Sequence, residues 1–587
     1  MRRFVIGMLL AAAAVLPAAA GPAEAERFAA LEAEYEAFLR REDPITAGAE
    51  DDAEALARLP DASAEADARR KMALEDFARR IDALPANRLD GADVFDRDYL
   101  AYDIADRLAA LSFDEGRIAF QNDSGFHTLG DYLARSTVIR SAADAEAWLA
   151  RLAALPAWYD DNIKNLRRGI ETGWTQPGIV VERVLRIAEA QAGAPIETDV
   201  LLAPFATAPA TLDPATVAEW KAQAIGLVRE QIRPRQEQFA AFLKDEYLPK
   251  ARSSLATVDM PGGEDWYEFQ ARHHTTTTLT PDEIHDIGLA EVARIRALMD
   301  GVMAETGFAG TFAEFLQFLR TDPRFYASSR LQLLEKASEI AKRADDRLPG
   351  LFGTLPRLTY GVRPVPEDQE EGYTTGRYFP GSPQLGIAGG YMVNTGKLDQ
   401  RPLYELPALT VHEAVPGHHL QIALTQELGD IPYYRRNGGA TAYVEGWGLY
   451  AEYLGEEMGI YRDAYERFGR LSYEMWRACR LVADTGIHWK RWDIEQARAC
   501  FTDNSALAPH NIQTELERYI SWPGQALAYK IGEMKLKELR ARAAEALGGS
   551  FDVRRYHDAV LLAGPMPLAM LEARIDAWIA DELAKRP

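Results

Sequence analysis

A chain of 587 residues that is 47% hydrophobic and 26% charged holds enough apolar material for several cores and has the make-up of a globular protein. Its formal net charge of −23 argues against a nucleic-acid partner, because a phosphate-binding surface needs a surplus of lysine and arginine. The same acidic balance serves solubility and selects no substrate.

The chain opens MRRFVIGMLLAAAAVLPAAAGPAEA, with two arginines, an apolar stretch and small residues ending in AxA triplets. This predicts a signal peptide over residues 1–25, cleaved after Ala20 or Ala25, and a periplasmic or secreted protein. The apolar stretch is shorter than the ~20 residues of a membrane span, so no stable insertion of the mature chain is expected. Cys479 and Cys500 are the only cysteines, which permits one bridge or two buried free thiols.

From residue 26 to 350 apolar residues recur at three- and four-residue steps, predicting an N-terminal helical lobe. One helix opens on Asp213 as cap with Pro214 next, and another on Thr280 with Glu283 completing a capping box. Over 351–400 the texture changes: RLTYGV, GRYF and YMVNTG are rich in strand formers and punctuated by glycine and proline, predicting a small antiparallel sheet. The stretch GIAGGYMVNTG is a candidate for presenting an open strand edge to an extended peptide. Helical periodicity returns over 401–587. With no repeat and no linker, the chain reads as one integrated, mainly α unit.

The chemistry concentrates in HEAVPGHH, where three of the ten histidines fall within eight residues and Glu413 follows His412. In HExxH zinc hydrolases two histidines one helical turn apart hold the metal, and the glutamate handles the proton of a water. Here Pro416 stands four residues after His412. In an ideal helix His418 would lie about 9 Å along the axis and about 120° around, and His419 about 10.5 Å along but nearly on the same face. Proline removes a backbone donor and Gly417 tolerates unusual dihedrals, so a bulge or kink is expected between the histidines. Such a bulge would bring His418 to the second ligand's place, whereas simple helical phase favours His419. The histidine that does not reach the metal should face the cleft as a substrate-contacting group. A tetrahedral catalytic zinc takes three protein ligands, and Glu445, set among Tyr443, Val444, Trp447 and Leu449, is the candidate for the third. Glu452 lies two turns further on the same face as a supporting or a surface residue.

The runs HEAVPGHHLQ, VEGWGLYAEYL, RLVADTGIHW and RYISWPGQALAYKIG together resemble the bacterial family called domain of unknown function 885, well over the C-terminal half and loosely over the N-terminal half. More distantly, GHHLQ, DIPYYRRNGG and the glutamate of VEGWG are similar in order to motifs of the zinc peptidases related to angiotensin-converting enzyme and thimet oligopeptidase. That resemblance implies a mainly helical, zincin-like peptidase body around a deep cleft. It also implies His412, His418 and Glu445 as zinc ligands and Glu413 as general base. Tyr529 resembles the helix tyrosine that donates to the oxyanion in the thimet-type enzymes, and Tyr519 is the second candidate.

His488, four residues after Asp484, is a further donor candidate or half of a structural His–Asp pair. Arg477 and Arg480, one turn apart, could hold a peptide's C-terminal carboxylate, with Arg480 the preferred contact. The expected activity is zinc-dependent hydrolysis of oligopeptides, of carboxypeptidase or oligopeptidase type. A metallo-amidase acting on cell-wall peptides and a non-catalytic periplasmic binding protein are the alternatives. No GxSxG elbow supports a serine mechanism. The sequence does not fix the oligomeric state.

Overall fold

The computed structural model describes residues 22–586 except 51, 368, 369, 371, 372, 384, 385 and 430. The leader expected over residues 1–25 thus lies outside the described residues up to residue 21. Among the described residues, no helix is long and apolar enough to cross a membrane.

Helices dominate, and the local signals for them act as anticipated. Helix α1 (Pro22–Glu42) comes first among the described residues, and the 31-residue α2 (Ala142–Thr172), further along, starts on a capping box between Ser141 and Asp144. In α3 (Pro214–Leu227) the Asp213 carboxylate accepts from the backbone N–H groups of Ala215 and Thr216. In α4 (Pro281–Glu305) Thr280 and Glu283 cap each other's backbone donors. Each cap satisfies N–H groups that the first helical turn leaves without intrahelical partners.

Three short strands form a mixed sheet, not the antiparallel one expected. Strands β1 (Tyr360–Pro364) and β3 (Gly389–Val393) run parallel with Tyr360 opposite Gly389, and β2 (Gly376–Phe379) pairs antiparallel with β3 with Tyr378 opposite Tyr391. The order β1-β3-β2 puts GIAGGYMVNTG at the centre, where β3 is paired on both sides and largely buried. That stretch therefore has no open edge. The edge next to the histidine cluster belongs to β2.

The helices of the C-terminal half that bear on the site are α5 (Leu406–Glu413), α6 (His418–Glu427), α7 (Thr441–Glu457), α8 (Ala464–His488), α9 (Ile494–Asn504), α10 (Pro509–Ser521) and α11 (Ala528–Leu547). Helix α8 is the axis of this half: every residue from Phe468 to His488 is buried, with α4 packed along one side. A disulfide between Cys479 and Cys500 joins α8 to α9. The largest cluster of buried apolar side chains runs from Phe28 to Ile579, so the two halves share one core. A smaller cluster between Leu133 and Ile232 belongs to the N-terminal half.

Candidate metal centre

The run HEAVPGHH is not a kinked helix but two helices and a turn. Helix α5 ends at Glu413, residues 414–417 leave the helical path, and α6 opens on His418. The His419 N–H reaches back to the Ala414 carbonyl at 3.1 Å, which closes the turn. Gly417 is required by proximity: a Cβ there would stand 1.9 Å from the His412 carbonyl oxygen. The Pro416 carbonyl accepts the indole N–H of Trp447 at 2.8 Å, pinning the turn to α7. The two extra residues are thereby absorbed and the His412 and His418 rings meet at 4.7 Å, nearly perpendicular.

Helix α7 supplies the third donor. The Glu445 Oε2 lies 3.3 Å from His418 Nε2 and 3.8 Å from His412 Nε2. One donor atom from each residue falls within 4.8 Å of the others. Ligand atoms about 2.1 Å from a tetrahedral ion stand about 3.4 Å apart, so the donor set matches zinc in type and is close to it in spacing. On its other side His412 donates from Nδ1 to Glu452 Oε1 at 2.8 Å, and Arg477 Nη2 donates to the same oxygen at 2.9 Å. This fixes the tautomer that leaves Nε2 facing Glu445. Burial disfavours charge on His412, yet Glu445 and Glu452 outweigh it and lift the imidazole to about 9. Burial likewise opposes ionisation of Glu445, and the two histidines hold it well below the carboxylate range.

A cavity of about 440 Å³ opens over the triad, a volume that suits a small organic ligand or short peptide. Glu413 lies on its wall, and its Oε2 accepts the backbone N–H of Tyr378 in β2 at 2.8 Å. Tyr529 from α11 and Arg477 and Arg480 from α8 also line it. The Arg480 guanidinium lies 4.1 Å from the Tyr529 ring centroid.

Three expected site residues stand elsewhere. His419 does not line the cavity: Nδ1 accepts from the Tyr378 hydroxyl at 3.0 Å and Nε2 donates to the Leu358 carbonyl at 3.1 Å. Both ring nitrogens are spent on fastening the sheet, and burial pushes the imidazole down to about 4. Tyr519 is buried beneath the cavity, its hydroxyl accepting from Arg480 Nε and Trp476 Nε1 and donating to Glu515. It holds Arg480 and cannot touch a substrate. His488 is also buried away from the cavity, donating from Nε2 to the Tyr519 carbonyl at 2.9 Å, and burial lowers it to about 3. Asp484 does not orient it; that carboxylate accepts from the Tyr267 hydroxyl and the Gly524 N–H.

Other cavity residues gave no signal of their own in the sequence. Tyr378 is one alternate position of a strand, and Asn122 and Asp123 come from the far N-terminal half. Arg518 and Gln525 belong to the run RYISWPGQALAYKIG that also holds Tyr519 and Tyr529, so their neighbourhood was visible and their roles were not.

A model of the family described as bacterial protein of unknown function, DUF885, matches residues 44–575. The chain belongs to that family. Two solved structures share the DUF885 protein's architecture. One, titled as a "putative lipoprotein" from Colwellia psychrerythraea, is 26% identical, with a TM-score of 0.89 over 95% of this chain and 99% of the other. Another, titled as a "putative lipoprotein of unknown function" from Shewanella oneidensis, is 18% identical, with a TM-score of 0.68 over 93% and 99%, and shows the fold alone. No curated protein matches this DUF885 chain.

Proposed function

We propose that this DUF885 protein is a zinc-dependent peptidase with a zincin-like body, in which His412, His418 and Glu445 hold the metal. The observation that carries the reading is the convergence of these three donors within 4.8 Å beside Glu413, on the wall of one cavity. Zinc, when bound there, supplies a Lewis acid that activates water and polarises the scissile carbonyl.

The chain's own groups do the rest. The Glu413 carboxylate, aimed by the Tyr378 N–H, takes a proton from the attacking water and returns it to the leaving amine nitrogen. The Tyr529 hydroxyl, on the same cavity, donates to the carbonyl oxygen as negative charge develops there. Glu452 and Arg477 keep His412 in register. Two features support a location outside the cytoplasm: the signal-like leader and the Cys479–Cys500 bridge, a pairing at home in oxidising compartments.

The test is a peptide-mixture digest read by mass spectrometry, alongside metal analysis. Purified protein should carry one zinc per chain and cleave peptides, and Glu413→Gln should keep the zinc while losing on the order of 10²–10⁴-fold in rate. Absence of zinc after reconstitution, or full activity in Glu413→Gln, overturns the reading.

A further inference from the structure

The wall of the cavity beyond the triad carries an imbalance of charge. Helix α8 delivers Arg477 and Arg480 one turn apart, and α10 delivers Glu515 and Arg518 one turn apart. Arg477 is balanced by Glu452. Arg480 and Arg518 instead share one carboxylate oxygen: Glu515 Oε2 lies 3.0 Å from Arg480 Nη2 and 3.5 Å from Arg518 Nη2, and it also accepts the Tyr519 hydroxyl. Burial raises Glu515, but Arg518 and Arg480 more than offset this and hold the carboxyl down to about 2, so it stays ionised. Two guanidinium groups facing one carboxylate leave one positive charge over.

The same wall also carries donors that are not spent. Among the described residues, the Nη1 of Arg480 and the Nε of Arg518 are buried with no hydrogen-bond partner, although Arg518 also donates from Nη1 to Gln525 at 3.1 Å and interacts with the Tyr529 side chain. Asp123, exposed at the rim, is paired with neither arginine among the described ion pairs. A buried cation with unspent donors is costly unless an anion completes it. Both residues line the cavity, and Arg518 keeps 17% of its side chain exposed there. Arg480 stands one helical turn, about 5 Å, beyond Arg477, whose own carboxylate partner touches the metal ligand His412.

We infer that Arg480 and Arg518 form a binding site for a carboxylate carried by the substrate, next to the scissile bond. The inference deepens the peptidase reading and rests on it for the identity of the substrate as a peptide. The carboxylate is either the free C-terminus or an acidic side chain. Tyr519, Trp476 and Glu515 are positioning residues that keep the Arg480 guanidinium over the Tyr529 ring.

Three peptides test this on the zinc-loaded full chain: one with a free C-terminus, the same sequence as a C-terminal amide, and the amide with its last residue replaced by glutamate. The free acid should have kcat/KM at least about 10-fold above the neutral amide, and Arg518→Gln should bring that ratio down to about one, whatever its effect on the rate with the neutral amide. Arg518→Lys should retain part of it. Preference for the glutamate amide would assign the carboxylate to a side chain. Equal cleavage of all three, or a preference that survives Arg518→Gln, overturns the carboxylate site and leaves the peptidase reading standing. Should no peptide be cleaved, the peptidase reading fails, and calorimetric binding of free-acid against amide peptide decides the carboxylate site directly: tighter binding of the acid, lost in Arg518→Gln, supports it, and equal binding ends it.

Discussion

Glu452 is outside the cavity lining, yet two parts of the site depend on it. Its Oε1 receives both His412 and Arg477, so one buried carboxylate sets the ligand's tautomer and neutralises an arginine on the cavity wall. Glu452→Gln keeps the shape and removes the charge; zinc affinity measured by competition with a chelator should fall 10- to 100-fold while the fold persists, and unchanged affinity would remove Glu452 from this role. The convergence of His412, His418 and Glu445 was legible in the sequence from the order and type of these residues. Which of His418 and His419 faces Glu445 was not, since it depends on the path of residues 414–417 and not on helical phase. Tyr519, the second candidate beside Tyr529, lies on α10 with its hydroxyl turned to Arg480; His488 faces away from the cavity for a reason of helical phase. A four-residue spacing says that two side chains share a face, but α8 is buried all round, so phase alone does not pick out the face that meets the cavity.

At the scale of elements, the caps at Asp213 and Thr280 were readable because a cap is a local bargain between a side chain and the next three backbone donors. The sheet was readable as strands and not as an order. Alternation marks a strand but carries no information on its neighbour, and burial of β3 on both faces made GIAGGYMVNTG central. The Cys479–Cys500 bridge closes a loop of 21 residues and fastens α9 to the helix that bears Arg477 and Arg480. Replacing both cysteines with serine should cost about 3 kcal/mol in urea unfolding by removing that restraint from the unfolded chain. A loss below about 0.5 kcal/mol would mean that the helix packing alone holds α9 in place.

The molecule as a whole carries a store of neutral histidines. Burial lowers His127, His488 and His557 to about 3, and it lowers His274, with help from neighbouring His273, well below the ordinary value. In the unfolded chain each titrates near 6.5. A base whose folded value is depressed gives its stability in full above the unfolded value and loses it as the pH falls towards the folded one. Unfolding below pH 6.5 should therefore take up protons, with a loss of about 1.4 kcal/mol per pH unit for each such histidine, seen as a falling urea midpoint between pH 7 and 5. His127, whose ring nitrogens have no hydrogen-bond partner, packs against Phe126 and Phe239. His127→Phe should remove one histidine's share of the slope, and an unaltered slope would contradict the neutral state. A mainly helical body was legible at this scale from periodicity alone, whereas the sharing of one core between the halves was not, because contacts between residues hundreds of positions apart leave no mark on spacing. That shared core bears on inheritance. The cavity takes Asn122 and Asp123 from one end of the chain and Tyr529 from the other, so the site cannot pass between genes as a cassette; it descends with the whole chain, in keeping with a family whose likeness extends from residue 44 to 575.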